Sequence, residues 1–293
     1  MPHLFPGFVA RRVHTEGAEI HAVIGGSGPP LLLLHGYPQT HAIWHRIAPR
    51  LAERFTVVCP DLRGYGDSSK PDGGMQHVNY SKRAMALDQV ELMLALGFER
   101  FDVAGHDRGG RVAHRMALDH PMRVRRLAVL DISPTRIMYE QTDQAFATAY
   151  YHWFFLIQPF DLPERLIGAD PGYYLRWKLG GWGSKLDCFD PSALAEYERC
   201  FADPATIHAT CEDYRAAATI DLEHDKADEL SKLACPLLVL LGENGVVNRL
   251  FRPVEEWSRV AADVRGWTLL AGHFLPEEAP EHTLAALSDF FRP

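Results

Sequence analysis

The stretch VAGHDRGGRVAHRMALDHP, Val103 to Pro121, decides how the chain folds. A short apolar run ends in Gly105-His106-Asp107-Arg108-Gly109, and helical spacing follows until Pro121 stops it. The pattern G-x-S-x-G presents a nucleophilic serine on a sharp turn between a strand and a helix. Here the middle residue is Asp107, and arginines stand at 108 and 111. The spacing therefore predicts a strand over Phe101–Ala104, a helix over Arg111–Asp119, and a carboxylate raised on the turn before that helix.

Outward from this turn the same alternation repeats. Residues 8–24 read as two strands joined at Glu16-Gly17. The break Gly25-Gly26-Ser27-Gly28-Pro29-Pro30 is not a dinucleotide loop, because no helix follows it. Leu31–Leu34 is wholly apolar, as in a strand buried on both faces. Helical spacing is read over Trp44–Ala52 and Ser81–Leu96, and strands over Phe55–Cys59 and Arg126–Leu130. Leu237–Leu241 and Trp267–Leu270 are further strands, with helices near Val254–Ala262 and at the end of the chain. Strands alternating with helices predict an α/β fold, a mostly parallel central sheet with helices on both faces. The alternation stops after Ser133-Pro134. Residues 135–224 are rich in aromatics with helical spacing, which predicts an inserted helical cap on a core made of 1–134 and 225–293.

Composition bounds what such a chain does. The 293 residues are 47% hydrophobic and 23% charged, an ordinary globular balance. A net charge of -8 argues against a nucleic-acid partner. It also makes a local pair of arginines more notable. Five cysteines without a C-x-x-C pair read as reduced thiols of a cytoplasmic protein. His208 and Cys211 are two residues of metal-ligating type, too few for a zinc site, so no metal and no cofactor is expected. The start MPHLFPGFVARR lacks the pattern of a signal peptide, and no apolar run approaches the roughly 18 residues of a membrane span.

Ligands of an open parallel sheet bind beyond the carboxyl ends of its strands. Asp107, Asp131 and His273 each follow such an end. Singly, Asp131 reads as a turn residue and His273 as a loop histidine. Together they read as a nucleophile, an acid and a histidine, in that chain order. A carboxylate is already ionised at neutral pH and can displace a leaving group from an sp3 carbon, forming an ester. Histidine then activates the water that hydrolyses that ester. Arg108 and Arg111, three apart on the first helical turn, suit an anionic substrate, because planar guanidinium groups bind carboxylates with paired hydrogen bonds. Arg115, one turn further, is expected to face solvent.

The motifs His35-Gly36-Tyr37-Pro38, Asp61-Leu62-Arg63-Gly64-Tyr65-Gly66-Asp67-Ser68, the Asp107 turn and Gly272-His273 resemble the α/β-hydrolase superfamily over nearly the whole chain. That resemblance implies the α/β-hydrolase fold, with an oxyanion hole from the backbone N–H groups of Tyr37 and Arg108. Many members place their triad acid in a G-x-x-D pattern after the next strand. This chain reads Gly242-Glu243-Asn244-Gly245, so Asp131 is the natural substitute, with Glu243 as runner-up. Within the superfamily, Asp107-Arg108-Gly109-Gly110-Arg111, Asp131 and His152-Trp153 resemble the fluoroacetate dehalogenases. The resemblance implies that Arg108 and Arg111 hold the substrate carboxylate, that His152, Trp153 and Tyr214 donate to the departing halide, and that the enzyme is a homodimer. Without it, His152 and Trp153 read as part of an aromatic core. The alternative enzyme is an epoxide hydrolase with the same Asp nucleophile; the missing late Asp and the arginine pair count against it.

Overall fold

The computed structural model describes residues 3–292, and its eight strands form one sheet in the order β1-β2-β4-β3-β5-β6-β7-β8. Met1, Pro2 and Pro293, at the outer limits of the expected core, lie outside the described residues. The strands are β1 (Val9–His14), β2 (Glu19–Gly25), β3 (Pro30–Leu34), β4 (Thr56–Pro60), β5 (Phe101–His106), β6 (Val124–Leu130), β7 (Leu237–Gly242) and β8 (Val264–Leu269). β1 and β2 pair antiparallel, and β2 joins β4 antiparallel. The remaining pairs are parallel.

Leu31–Leu34, Phe101–His106 and Leu237–Gly242 are buried along their lengths, as strands at the centre of a parallel sheet should be. Each aliphatic side chain so buried contributes roughly 1.5–3 kcal/mol. β1, at the sheet's edge, is exposed and carries Arg11 and Arg12, charges that discourage pairing with another chain.

The strand order reverses beside β3. The chain leaves β3 for β4 on one side, then crosses to β5 on the other. The carboxyl ends of β3 and β5 therefore frame a crevice, where an open α/β sheet places its ligand. The loops leaving these two ends carry Tyr37 and Asp107.

The loop after β4 folds around one buried carboxylate. Asp61 accepts hydrogen bonds from Nδ1 of His21 (3.0 Å) and of His41 (2.8 Å), and from the backbone N–H groups of His41 and Asp67. Those donors outweigh its burial and hold its pKa well below the ordinary carboxylate range.

Between β6 and β7 there is no strand, only a run of helices from Thr135–Glu140 to Ile220–Ala227. Three of them begin on Asp-Pro: Asp170, Asp190 and Asp203 cap the N–H groups of Tyr173, Ser192 and Ala205, with proline in the first turn. The last helix of the run, Ile220–Ala227, crosses the expected boundary at 224. The helix expected over Trp44–Ala52 is instead a short turn at His41–Trp44 and another at Ala48–Leu51. Pro49 has no N–H to continue a helix and sits where the second one starts. No described helix is long and apolar enough to cross a membrane.

Candidate active site

Asp107 stands between β5 and the helix Arg108–Asp119 with φ of 44°, a backbone conformation that side chains other than glycine rarely adopt. The flanking glycines make the turn fit. A Cβ on Gly105 would lie 2.5 Å from the Gly109 carbonyl oxygen, and one on Gly109 would lie 2.3 Å from that of His35. The helix can thus start directly against β3 and point its N-terminus at Asp107. Arg108 is the first helical residue, so its N–H has no intrahelical acceptor. The N–H of Tyr37 likewise donates to nothing among the described residues. The two N–H groups expected for an oxyanion hole are therefore free.

The structure brings Asp107, Asp131 and His273 together. His273 Nδ1 bonds Oδ2 of Asp131 at 2.7 Å, while its Nε2 stands 3.8 Å from Oδ2 of Asp107. The other Asp131 oxygen accepts the Gly242 N–H at 3.0 Å. All three side chains are buried. Gly245, where the resemblance to many superfamily members implied a late Asp, faces the same space: a Cβ there would lie 2.8 Å from Oδ1 of Asp131. The carboxylate of Asp131 fills the place that a side chain at 245 would need. Glu243 is exposed and bonds to strand backbone only through its own N–H.

Burial alone would make His273 less basic. Its contacts with Asp107 and Asp131 more than reverse that and raise it to about 9. Burial likewise opposes ionisation of Asp107, yet His273 and Arg111 keep it below the usual carboxylate range. At neutral pH His273 is thus an imidazolium, flanked by Asp107 and Asp131. His106, just before the nucleophile, hydrogen-bonds the His273 backbone carbonyl through Nε2 at 2.9 Å and helps fix that loop.

Arg108 and Arg111 are buried but differently employed. Arg108 gives Nε and Nη2 to the Asp213 carboxylate at 2.9 and 2.7 Å, and Nη2 also to the Asp213 carbonyl. Only its Nη1 is without a partner. Arg111 reaches Ser133 O, Thr135 Oγ1 and Met138 Sδ, and its Nε is unpartnered. No described acid forms an ion pair with Arg111. The expected two-pronged grip by each arginine is not free, because Asp213 occupies one fork and neutral groups the other. Arg115, expected in solvent, is buried and bonds Asp228 at 2.7 Å, because the chain following Ile220–Ala227 lies over that turn.

Aromatic residues from the helical run close the crevice. His152 lies parallel to Tyr37 with ring centres 6.0 Å apart, and Tyr214 meets both rings edge-on at 5.2 and 5.5 Å. The Arg108 guanidinium sits over Tyr214 at 4.1 Å and that of Arg111 over Trp153 at 4.7 Å. Tyr214 Oη and His152 Nδ1 are buried without a partner, like Arg108 Nη1 and Arg111 Nε. Unpartnered buried polar atoms are costly and uncommon. Four of them gather here, two on guanidinium groups, where they are free to meet a polar guest. Burial, reinforced by the nearby cations Lys178 and His273, keeps His152 neutral.

Asp213, Lys82 and Trp182 were not singled out in the sequence. Trp182 packs between His152 (4.7 Å) and His273 (5.2 Å). Lys82 pairs with Asp213 from the helix Lys82–Ala95. Nothing local announces such pairings. The one available signal was a carboxylate immediately before Tyr214.

Comparison with known proteins fits this geometry. Residues 29–280 match the family model for the alpha/beta hydrolase fold. A fluoroacetate dehalogenase from Burkholderia sp is 52% identical over 288 residues, 98% of this chain and 95% of that one. A soluble epoxide hydrolase from Corynebacterium sp. (strain C12) is 37% identical over 282 residues, 95% of each chain. A solved alpha/beta hydrolase structure from Nostoc sp PCC 7120 superposes with a TM-score of 0.96 at 62% identity, covering 97% of this chain and 98% of the other.

Proposed function

The chain belongs to the alpha/beta hydrolase fold family, and from that premise we propose that it hydrolyses short 2-haloacids, fluoroacetate foremost, to the 2-hydroxyacid and halide. The observation that carries this reading is the set of unpartnered buried polar atoms, Arg108 Nη1, Arg111 Nε, Tyr214 Oη and His152 Nδ1, around an ionised Asp107. The 52% identical dehalogenase supports it.

In the first step an oxygen of Asp107 attacks C2 of the haloacid from behind. The carbon–halogen bond breaks, halide leaves, and an ester to Asp107 remains. Arg108 and Arg111 hold the carboxylate. His152, Trp153 and Tyr214 donate to the departing halide, whose charge grows only as the bond breaks, so they act in the transition state. In the second step His273 Nε2 takes a proton from water, whose oxygen adds to the ester carbonyl carbon. Tyr37 and Arg108 N–H groups stabilise the oxyanion. His273 returns that proton to the leaving alkoxide, the hydroxyacid departs and Asp107 is restored.

His273 is protonated while Asp107 is charged. Esterification removes that charge and leaves only Asp131 to hold the proton, so His273 becomes less basic, releases its Nε2 proton to solvent and is free to take one from water. The first step thereby prepares the base for the second. We further propose that the helices between β6 and β7 form the cap of the pocket, that the protein works in the cytoplasm, and that it is a homodimer.

The test is halide release from fluoroacetate and chloroacetate, and diol formation from a panel of neutral epoxides. Haloacetates should turn over and epoxides should not. Epoxide opening without halide release would instead place the chain with the 37% identical epoxide hydrolase.

A further inference from the structure

We infer that Asp213 is a positioning residue that selects which N–H of Arg108 meets the substrate, so that Arg108 supplies direction and Arg111 supplies charge. The inference rests on the haloacid reading above.

A guanidinium offers five N–H donors in a rigid fork. Asp213 takes the Nε and Nη2 side of Arg108, with the Asp213 carbonyl as a third acceptor. What remains is the Nη1 edge, which is buried and unpartnered. Asp213 is itself held from three sides. Tyr65 Oη donates to Oδ2 at 2.6 Å, Lys82 Nζ bonds Oδ1, and Arg108 takes both oxygens. Arg108 comes from the turn after β5, Lys82 from the helix Lys82–Ala95, Tyr65 from the loop after β4, and Asp213 from the helix Pro204–Ala218. The clamp thus ties the helical run to the sheet, and Arg108 is aimed only when that run is docked.

The two arginines differ in charge balance. Asp213 offsets Arg108, and Lys82 is shared between Asp213 and Asp221. Arg111 is buried with neutral partners. A substrate carboxylate would complete the ion pair that Arg111 lacks. It would also accept one N–H from Arg108 Nη1 at an angle set by Asp213. Two single bonds from two arginines constrain the anion differently from one two-pronged grip. If Asp213 released the Arg108 fork, that fork could take both carboxylate oxygens and draw C2 away from Asp107. Small misplacements of a reacting carbon are costly in rate.

The experiment compares the native protein with Asp213→Asn, Asp213→Glu, Arg108→Lys and Arg111→Gln. It reads kcat and KM for chloroacetate, and the Kd of acetate, an unreactive carboxylate, by calorimetry. Asp213→Asn should lower kcat at least tenfold without raising KM or the acetate Kd, and Asp213→Glu should recover part of kcat. Arg108→Lys should show the same split, whereas Arg111→Gln should weaken acetate at least tenfold. An Asp213→Asn protein with kcat within twofold of native would overturn the inference, as would one that loses affinity while keeping kcat. Should Asp213→Asn fail to fold, the contrast between Arg108→Lys and Arg111→Gln decides: equal losses of acetate affinity sink the division of roles. If the native protein releases no halide, the haloacid reading fails, and the acetate measurements still judge the division.

Discussion

His273 has a carboxylate on either side, and that arrangement governs when it can act as a base. Its contacts with Asp107 and Asp131 hold its proton up to about 9. Asp107 is held below the ordinary carboxylate range, so the displacement step should be flat with pH through the neutral range. Once Asp107 is an ester, only Asp131 supports the imidazolium, and its apparent pKa falls. The hydrolysis step should therefore fail at low pH and rise to a plateau below pH 9, as rapid-quench single-turnover measurements would show. An apparent pKa of 9 or above for that step would mean that Asp107 does not control His273. Asp131→Asn should slow ester hydrolysis at least a hundredfold, because the carboxylate orients the ring and stabilises its charged form. Glu243→Gln, at an exposed site, should change it less than twofold. These three residues were legible because each follows a strand end in a short local motif. The Arg108–Asp213 pair was not, because its partners are far apart in sequence and meet only when helix packs on sheet.

Two helices carry the donors assigned to the halide. Tyr151–Phe155 supplies His152 and Trp153, and Pro204–Ala218 supplies Tyr214. Fluoride is small, accepts strong hydrogen bonds and leaves poorly, whereas bromide accepts weaker ones and leaves readily. Tyr214→Phe and Trp153→Phe should each lower fluoroacetate turnover at least fivefold more than bromoacetate turnover, measured as single-turnover halide release. Equal losses would reduce these residues to packing, as part of the aromatic core that encloses the crevice. Most strands were readable in advance from their apolar runs, and several helices of the inserted block announce themselves by Asp-Pro starts. The broken helix at His41–Leu51 was less readable, since its apolar spacing continues across the break between Trp44 and Ala48. Register between helices was not readable at all, because ring-on-ring contacts such as Tyr37 with His152 depend on distant segments packing together.

Across the molecule, the reversal of strand order beside β3 brings the Tyr37 loop and the Asp107 turn to one crevice, while β6 and β8 deliver Asp131 and His273 to the same end of the sheet. Arginines and aromatics then turn this hydrolytic frame toward a small anion. What separates a carboxylate nucleophile from a serine-like hydrolase is a covalent ester on Asp107 that forms without His273 and needs His273 to break. The decisive measurement is mass spectrometry of His273→Ala protein after incubation with fluoroacetate. The peptide containing Asp107 should gain the mass of a glycolyl ester, with one fluoride released per site and no further turnover. An unmodified Asp107 peptide with steady fluoride release would contradict the mechanism.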